Sequence, residues 1–125
     1  MMAKISQYFS LSEIQCSHCK TISPEALINA TRFCKFYLDT LRIRTEEVII
    51  VASFYRCPEH NKQVGGKPNS AHLRGYAIDI KCDNTEDRFN LISNAILLGI
   101  KRIEAKQEWV HFDIDPKLPS PMFLV

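Results

Sequence analysis

Two short stretches of the chain set ionisable side chains among aliphatic ones, and their chemistry comes first. In Ser70-Ala71-His72-Leu73-Arg74-Gly75-Tyr76-Ala77-Ile78-Asp79-Ile80, the last five residues read as a strand. Tyr76, Ile78 and Ile80 would share one face, and Ala77 and Asp79 the other. An acid between aliphatic residues of a core strand is costly unless a donor or cation meets it. In Glu108-Trp109-Val110-His111-Phe112-Asp113-Ile114, Val110, Phe112 and Ile114 would pack inward, with Trp109, His111 and Asp113 opposite. Strict alternation aims Glu108 away from His111, so Glu108 works beside it only from a turn before the strand. Singly, each stretch is an ordinary strand with one polar face. Together, His72, Asp79 and His111 are two imidazoles and a carboxylate, a set that leaves tetrahedral zinc one open position. Zinc lowers the pKa of water held there toward neutrality, and Glu108 is placed to accept its proton. This is not the helical His-Glu-x-x-His arrangement.

These residues resemble a known family. Ser70 to Asp79 looks like the S-x-H-x-x-G-x-A-x-D segment of zinc D-alanyl-D-alanine carboxypeptidases and dipeptidases, and Glu108-Trp109-Val110-His111 resembles their E-x-x-H segment. Ser53-Phe54-Tyr55-Arg56, with Asn61 beyond it, is similar to the family's S-x-Y-R segment. The three motifs run in order from about Val48 to Asp113. The resemblance implies His72, Asp79 and His111 as zinc ligands and Glu108 as the catalytic base. It implies that Arg56 holds or polarises the substrate and that Ser70 helps to orient it. The implied fold is the small α+β type shared with the hedgehog signalling domain, an antiparallel sheet flanked by helices. The implied reaction is hydrolysis of a peptide bond in peptidoglycan stem peptides, in the setting of a phage endolysin. Two rivals stand beside it: a phage structural or wall-binding module with a non-catalytic zinc site, and an amidase cutting the sugar–peptide link.

The elements that position these residues are short and mixed. Ser23-Pro24-Glu25 is a helix start, with a capping hydroxyl, a proline that needs no amide partner and an acid near the positive end. Leu27, Ala30, Cys34, Leu38 and Leu41 follow as a core-facing stripe. Val48 to Phe54 reads as a buried strand, Cys57 to Arg74 as a long functional loop, and Tyr76 to Cys82 as a strand. A second helix is expected from Thr85, with Phe89, Ile92 and Ile96 as its stripe and Gly99 as its stop. Residues 100–104 and 109–115 read as two strands joined by a tight connection around Lys106. Irregular alternation of helices and strands favours α+β over a doubly wound sheet.

Composition narrows the function classes. The chain has 125 residues, a common single-domain length, 46% hydrophobic and 24% charged. Sixteen basic and fourteen acidic side chains leave a charge of +2 with no basic block, which argues against nucleic-acid binding. No apolar run approaches membrane-spanning length. The opening Met1 to Tyr8 is not expected to be a signal peptide, so a monomer made in the cytoplasm and reaching the wall after release is the expectation.

Some residues carry weaker signals. Cys16-Ser17-His18-Cys19 offers three soft ligands, but a structural zinc site needs a second half, and the chain has no second C-x-x-C and no H-x-x-H. A reduced pair, or a disulfide after release, is the expectation; Cys34, Cys57 or Cys82 would complete a metal site only through folding. His60 reads as a loop residue near the cleft or in solvent, and Gly65-Gly66 as a turn. Asp113 or Asp115 is a candidate partner for a ligand's ring nitrogen, with exposed strand acids as the alternative.

Overall fold

The computed structural model describes residues 3–125; Met1 and Met2 of the opening segment lie outside the described residues. The chain folds as α+β, with a five-stranded mixed sheet in the order β1-β2-β4-β3-β5. These strands are β1 (Val51–Ser53), β2 (Ala77–Lys81), β3 (Arg102–Ala105), β4 (Trp109–Asp113) and β5 (Met122–Leu124). The sheet is antiparallel except at its edge, where β5 runs parallel to β3. The expected all-antiparallel sheet is corrected there: the chain after β4 crosses back so that Met122 meets Arg102.

The helix expected from Ser23 is present. The Ser23 hydroxyl accepts from the Ala26 amide and Pro24 opens α2 (Pro24–Phe33). A π-helical turn (Cys34–Leu38) and α3 (Asp39–Thr45) continue it. Ala30, Cys34, Leu38 and Leu41 are fully buried, joined by Phe33 against Phe54 at 6.0 Å between ring centres. From the sheet come Ile78, Ile80, Ile103, Val110 and Phe112, the inward face that alternation requires. The segment before α2 contains the short α1 (Leu11–Ile14), capped by Ser10 and Glu13.

Three expectations are corrected. Val48 to Phe54 is not a buried strand: Val48 is 74% exposed, Ile50 is also exposed, and only Val51–Ser53 pairs, with an irregularity in its register. An edge position leaves one flank of this apolar run in water. Cys57 to Arg74 is not structureless: it carries α4 (Pro58–Gln63) and a short 3₁₀ helix (Ala71–Arg74). The helix from Thr85, α5 (Thr85–Leu97), is turned relative to expectation. It buries Leu91 and Ala95, while Phe89 is 74% exposed and Ile96 is also in solvent. Two overlapping apolar stripes exist on this helix, and the packed neighbours select between them.

Gly75 joins the 3₁₀ helix to β2 in a left-handed conformation, φ +80°. A Cβ there would lie 2.3 Å from the Ala26 carbonyl oxygen of α2, so this approach admits only glycine. The two helices are further tied by the Asn29 amide, which donates to the Arg74 carbonyl at 2.9 Å. Gly75→Ala combines a left-handed penalty of about 1–2 kcal/mol with a backbone clash. It is expected to lower the urea midpoint by at least that much stability; unchanged unfolding would refute this account of the turn.

Candidate metal centre

Pairing of β2 with β4 sets Asp79 directly opposite His111, with Ile78 opposite Phe112 on the core side. The 3₁₀ helix before β2 delivers His72 to the same point. The Ser70 hydroxyl caps that helix by accepting from the His72 amide at 3.2 Å. One ligand atom each from His72, Asp79 and His111 lie within 4.8 Å of one another. His72 Nε2 is 3.3 Å from Asp79 Oδ2, and His111 Nδ1 is 2.8 Å from Asp79 Oδ1.

The other nitrogen of each ring is tied down. His72 Nδ1 lies 2.5 Å from the Phe54 carbonyl oxygen, to which only a protonated Nδ1 can donate. That leaves Nε2 as the nitrogen facing Asp79. His111 Nε2 meets Asp113 Oδ2 at 2.7 Å, and Arg102 Nε donates to the other Asp113 oxygen at 2.7 Å. Asp113 is therefore the ring-nitrogen partner considered from the sequence, and it is buried, not an exposed strand acid. Asp115 is buried as well, but it binds Arg74 rather than a histidine. Two imidazoles and a carboxylate converging on one point, each ring braced from behind by an oxygen, fit a zinc ion.

The electrostatics follow from burial and pairing. Burial alone would lower the His111 pKa, but hydrogen bonds with Asp113 and Asp79 outweigh it and raise it to about 9. Burial alone would raise Asp79; hydrogen bonds with His111 and His72 hold it well below the usual carboxylate range.

Arg56 joins the set from the segment after β1. Its Nη2 lies 3.2 Å from Asp79 Oδ2, its Nε donates to Ser53 Oγ at 3.2 Å, and Nη1 reaches Asn61 Oδ1 at 3.4 Å. Its amide donates to the His72 carbonyl at 3.2 Å. Glu108 lies in the turn before β4, the location it needs to escape strand alternation. Its side chain is exposed and makes no hydrogen bond or ion pair among the described residues. The turn is fastened through the backbone: Arg88 Nη2 donates to the Gln107 carbonyl at 2.6 Å, and the Cys82 amide to the Glu108 carbonyl at 3.0 Å. Glu108 lines a groove of about 600 Å³ with Ile50, Ala52, Lys81, Asp87 and Trp109. His72, Asp79 and His111 do not line that groove. It begins one rung further along their face, where Lys81 stands opposite Trp109.

Reading the sequence missed the Phe54 carbonyl, Arg102 and Arg88, because each acts through backbone or through a partner distant in the chain. His60 lies on α4 rather than in a loop, and Gly65 makes the expected turn with φ +73°.

An α+β fold with a braced His-Asp-His set on one sheet face fits a metal-dependent hydrolase. A family model described as Peptidase M15 matches residues 7–113, and the chain belongs to that family. It is a zinc metallopeptidase by that membership, and the match takes in the N-terminal helices as well as the three motifs. No curated protein matches the sequence.

Because His111 holds its proton up to pH about 9 without metal, zinc must displace that proton at neutral pH. Zinc addition at pH 7 is expected to release about one proton from His111, besides those from the water that zinc acidifies. Calorimetry in buffers of differing ionisation heat reads this directly, and buffer-independent heats would contradict it. In the metal-free protein the His111 contribution to stability should be full below about pH 6.5 and lost as pH rises through about 9. Asp113→Ala should weaken zinc binding about 10- to 100-fold, measured by competition with a chromophoric chelator.

Proposed function

We propose that this chain hydrolyses a peptide bond involving a D-amino acid in peptidoglycan stem peptides, as a phage-type endolysin. The observation that carries the reading is the convergence of His72, Asp79 and His111 at one rung of a sheet face, beside an open groove that holds Glu108. Membership of the peptidase family supports the hydrolytic chemistry. The three-motif resemblance to D-alanyl-D-alanine enzymes supports the wall peptide as substrate.

Zinc bound there would supply Lewis acidity and water of near-neutral pKa. His72 Nε2, His111 Nδ1 and an Asp79 oxygen would hold it. Glu108, exposed and without a partner, would take a proton from the attacking water and return it to the leaving amine. Arg56 spends part of its donor fork on Asp79, Ser53 and Asn61. Its remaining N–H groups would hold a substrate carboxylate or the scissile carbonyl. Ser70, next to His72, would help to orient the substrate. In the groove, Lys81 offers a cation to a peptide carboxylate and Trp109 an apolar surface. The enzyme would act as a monomer on the wall after release from the cytoplasm.

Zinc-loaded protein incubated with peptidoglycan, beside a chelated control, is expected to release D-amino-acid-containing fragments only when metal is present; mass spectrometry names the bond. Intact peptidoglycan, with zinc confirmed at the His-Asp-His set, would favour the non-catalytic module. Glu108→Ala should retain zinc and lose about 10²- to 10⁴-fold in turnover, and His111→Ala should lose both. Full activity in Glu108→Ala would remove the proposed base.

A further inference from the structure

The cysteines form a second donor cluster, separate from the His-Asp-His set. The loop after α1 folds Cys16 and Cys19 into a tight knuckle: the Lys20 amide donates to the Cys16 carbonyl at 2.8 Å, and Lys20 is left-handed at φ 57°. The Cys16 amide donates to the Thr21 carbonyl at 2.8 Å and closes the knuckle. Cys57 caps α4, its sulfur accepting from the His60 amide at 3.4 Å. The sulfur atoms of Cys16, Cys19 and Cys57 all lie within 4.8 Å of one another. Tetrahedral zinc with bonds of about 2.3 Å to sulfur sets its thiolates about 3.8 Å apart, so little movement separates this cluster from a closed site.

A reduced pair or a disulfide leaves other features unexplained. A disulfide would join two sulfurs and strand the third, and all five cysteines are free. Cys16 is wholly buried, and hydrogen bonding from the backbone at Cys57, Cys19 and His18 outweighs that burial and lowers its thiol pKa to about 7. Such donors stabilise a thiolate. Nearby, His60 Nδ1 is buried with no hydrogen-bond partner, and its ring stacks on His18 at 5.5 Å and 7° between planes. The second half of the site is therefore present in the sequence as a mixed pair, Cys57-Pro58-Glu59-His60, with the C-x-x-H spacing of structural zinc sites.

We propose that Cys16, Cys19 and Cys57 hold a structural zinc ion, with His60 turning from its stack on His18 to become the fourth ligand. The ion joins the N-terminal loop to the start of α4. Cys57 follows Arg56 directly, so the clamp also fixes the segment whose guanidinium reaches Asp79. Three soft thiolates and an imidazole select zinc over harder cations. The inference is independent of the substrate, since it concerns residues outside the hydrolytic set.

The test uses the full chain purified without chelator. Metal analysis is expected to find two zinc ions per chain, falling to one in a His72→Ala/His111→Ala variant. Cobalt substitution of that variant should give an intense sulfur-to-metal charge-transfer band in the near ultraviolet. Cys57→Ser should weaken the band, since one of three thiolates is lost, and His60→Ala should shift the visible cobalt spectrum. Cys16, Cys19 and Cys57 should resist a thiol reagent until a strong chelator is added. Should Cys57→Ser fail to fold, the band and the thiol protection in the otherwise intact chain still decide the matter. A single zinc per chain with freely reactive thiols, or a mass loss showing a disulfide within the cluster, would overturn the site. An unchanged cobalt spectrum in His60→Ala would remove His60 as the fourth ligand.

Discussion

Asp79 is a carboxylate in an inner strand of the sheet, only 6% exposed, and much of the structure is arranged to meet it. A buried carboxylate without partners costs several kcal/mol, so the fold must bring donors to it. They come from three distant segments: Arg56 from beyond β1, His72 from the 3₁₀ helix, and His111 from the facing strand. Meeting this demand brings the edge strand, the preceding turn and β4 to one point. The candidate metal centre is the same solution seen from its chemistry, since the groups that compensate a buried acid are also of the types that would hold zinc and orient its ligands.

The compensation continues along the sheet face. His111 is held between Asp79 and Asp113, and Asp113 in turn is held by Arg102. Negative and positive groups thus alternate from Arg56 through Asp79, His111 and Asp113 to Arg102. Such a buried network adds little net stability compared with a well-packed apolar equivalent, while breaking one member is expensive. Its value here is geometric. Each imidazole has one nitrogen committed to a protein oxygen, and the other nitrogen has a fixed direction and tautomer.

The helical layer holds this arrangement from behind. The continuous run from α2 to α3 buries its stripe against the inward residues of β2 and β4. Gly75 lets the 3₁₀ helix approach Ala26 without a side chain between them. Cys16, Ala26 and Tyr55 form a small separate apolar cluster beneath the Arg56 segment. The Tyr55 amide also donates to the Ile14 carbonyl at 3.0 Å. The N-terminal residues are therefore part of the support for the site, consistent with a family match that begins at residue 7.

Residue chemistry and local periodicity were enough to single out His72, Asp79 and His111 as a candidate set, to place Glu108 in a turn, to start α2 at Ser23–Pro24 and to assign the faces of β2 and β4. These are local properties: a capping residue needs only its own turn, and alternation needs only a strand. Tertiary structure decided what depends on surfaces far apart in the chain. It put Asp79 opposite His111, gave the His111 ring to Asp113 and Asp115 to Arg74, and reduced Val48 to Phe54 to a three-residue edge strand. It chose Leu91 and Ala95 over Phe89 and Ile96 as the buried face of α5, because neighbouring elements cover that side. It also brought Cys57, rather than Cys34 or Cys82, to Cys16 and Cys19. The donors were visible in the sequence, but which of them meet is set by packing between segments, and no local pattern encodes that.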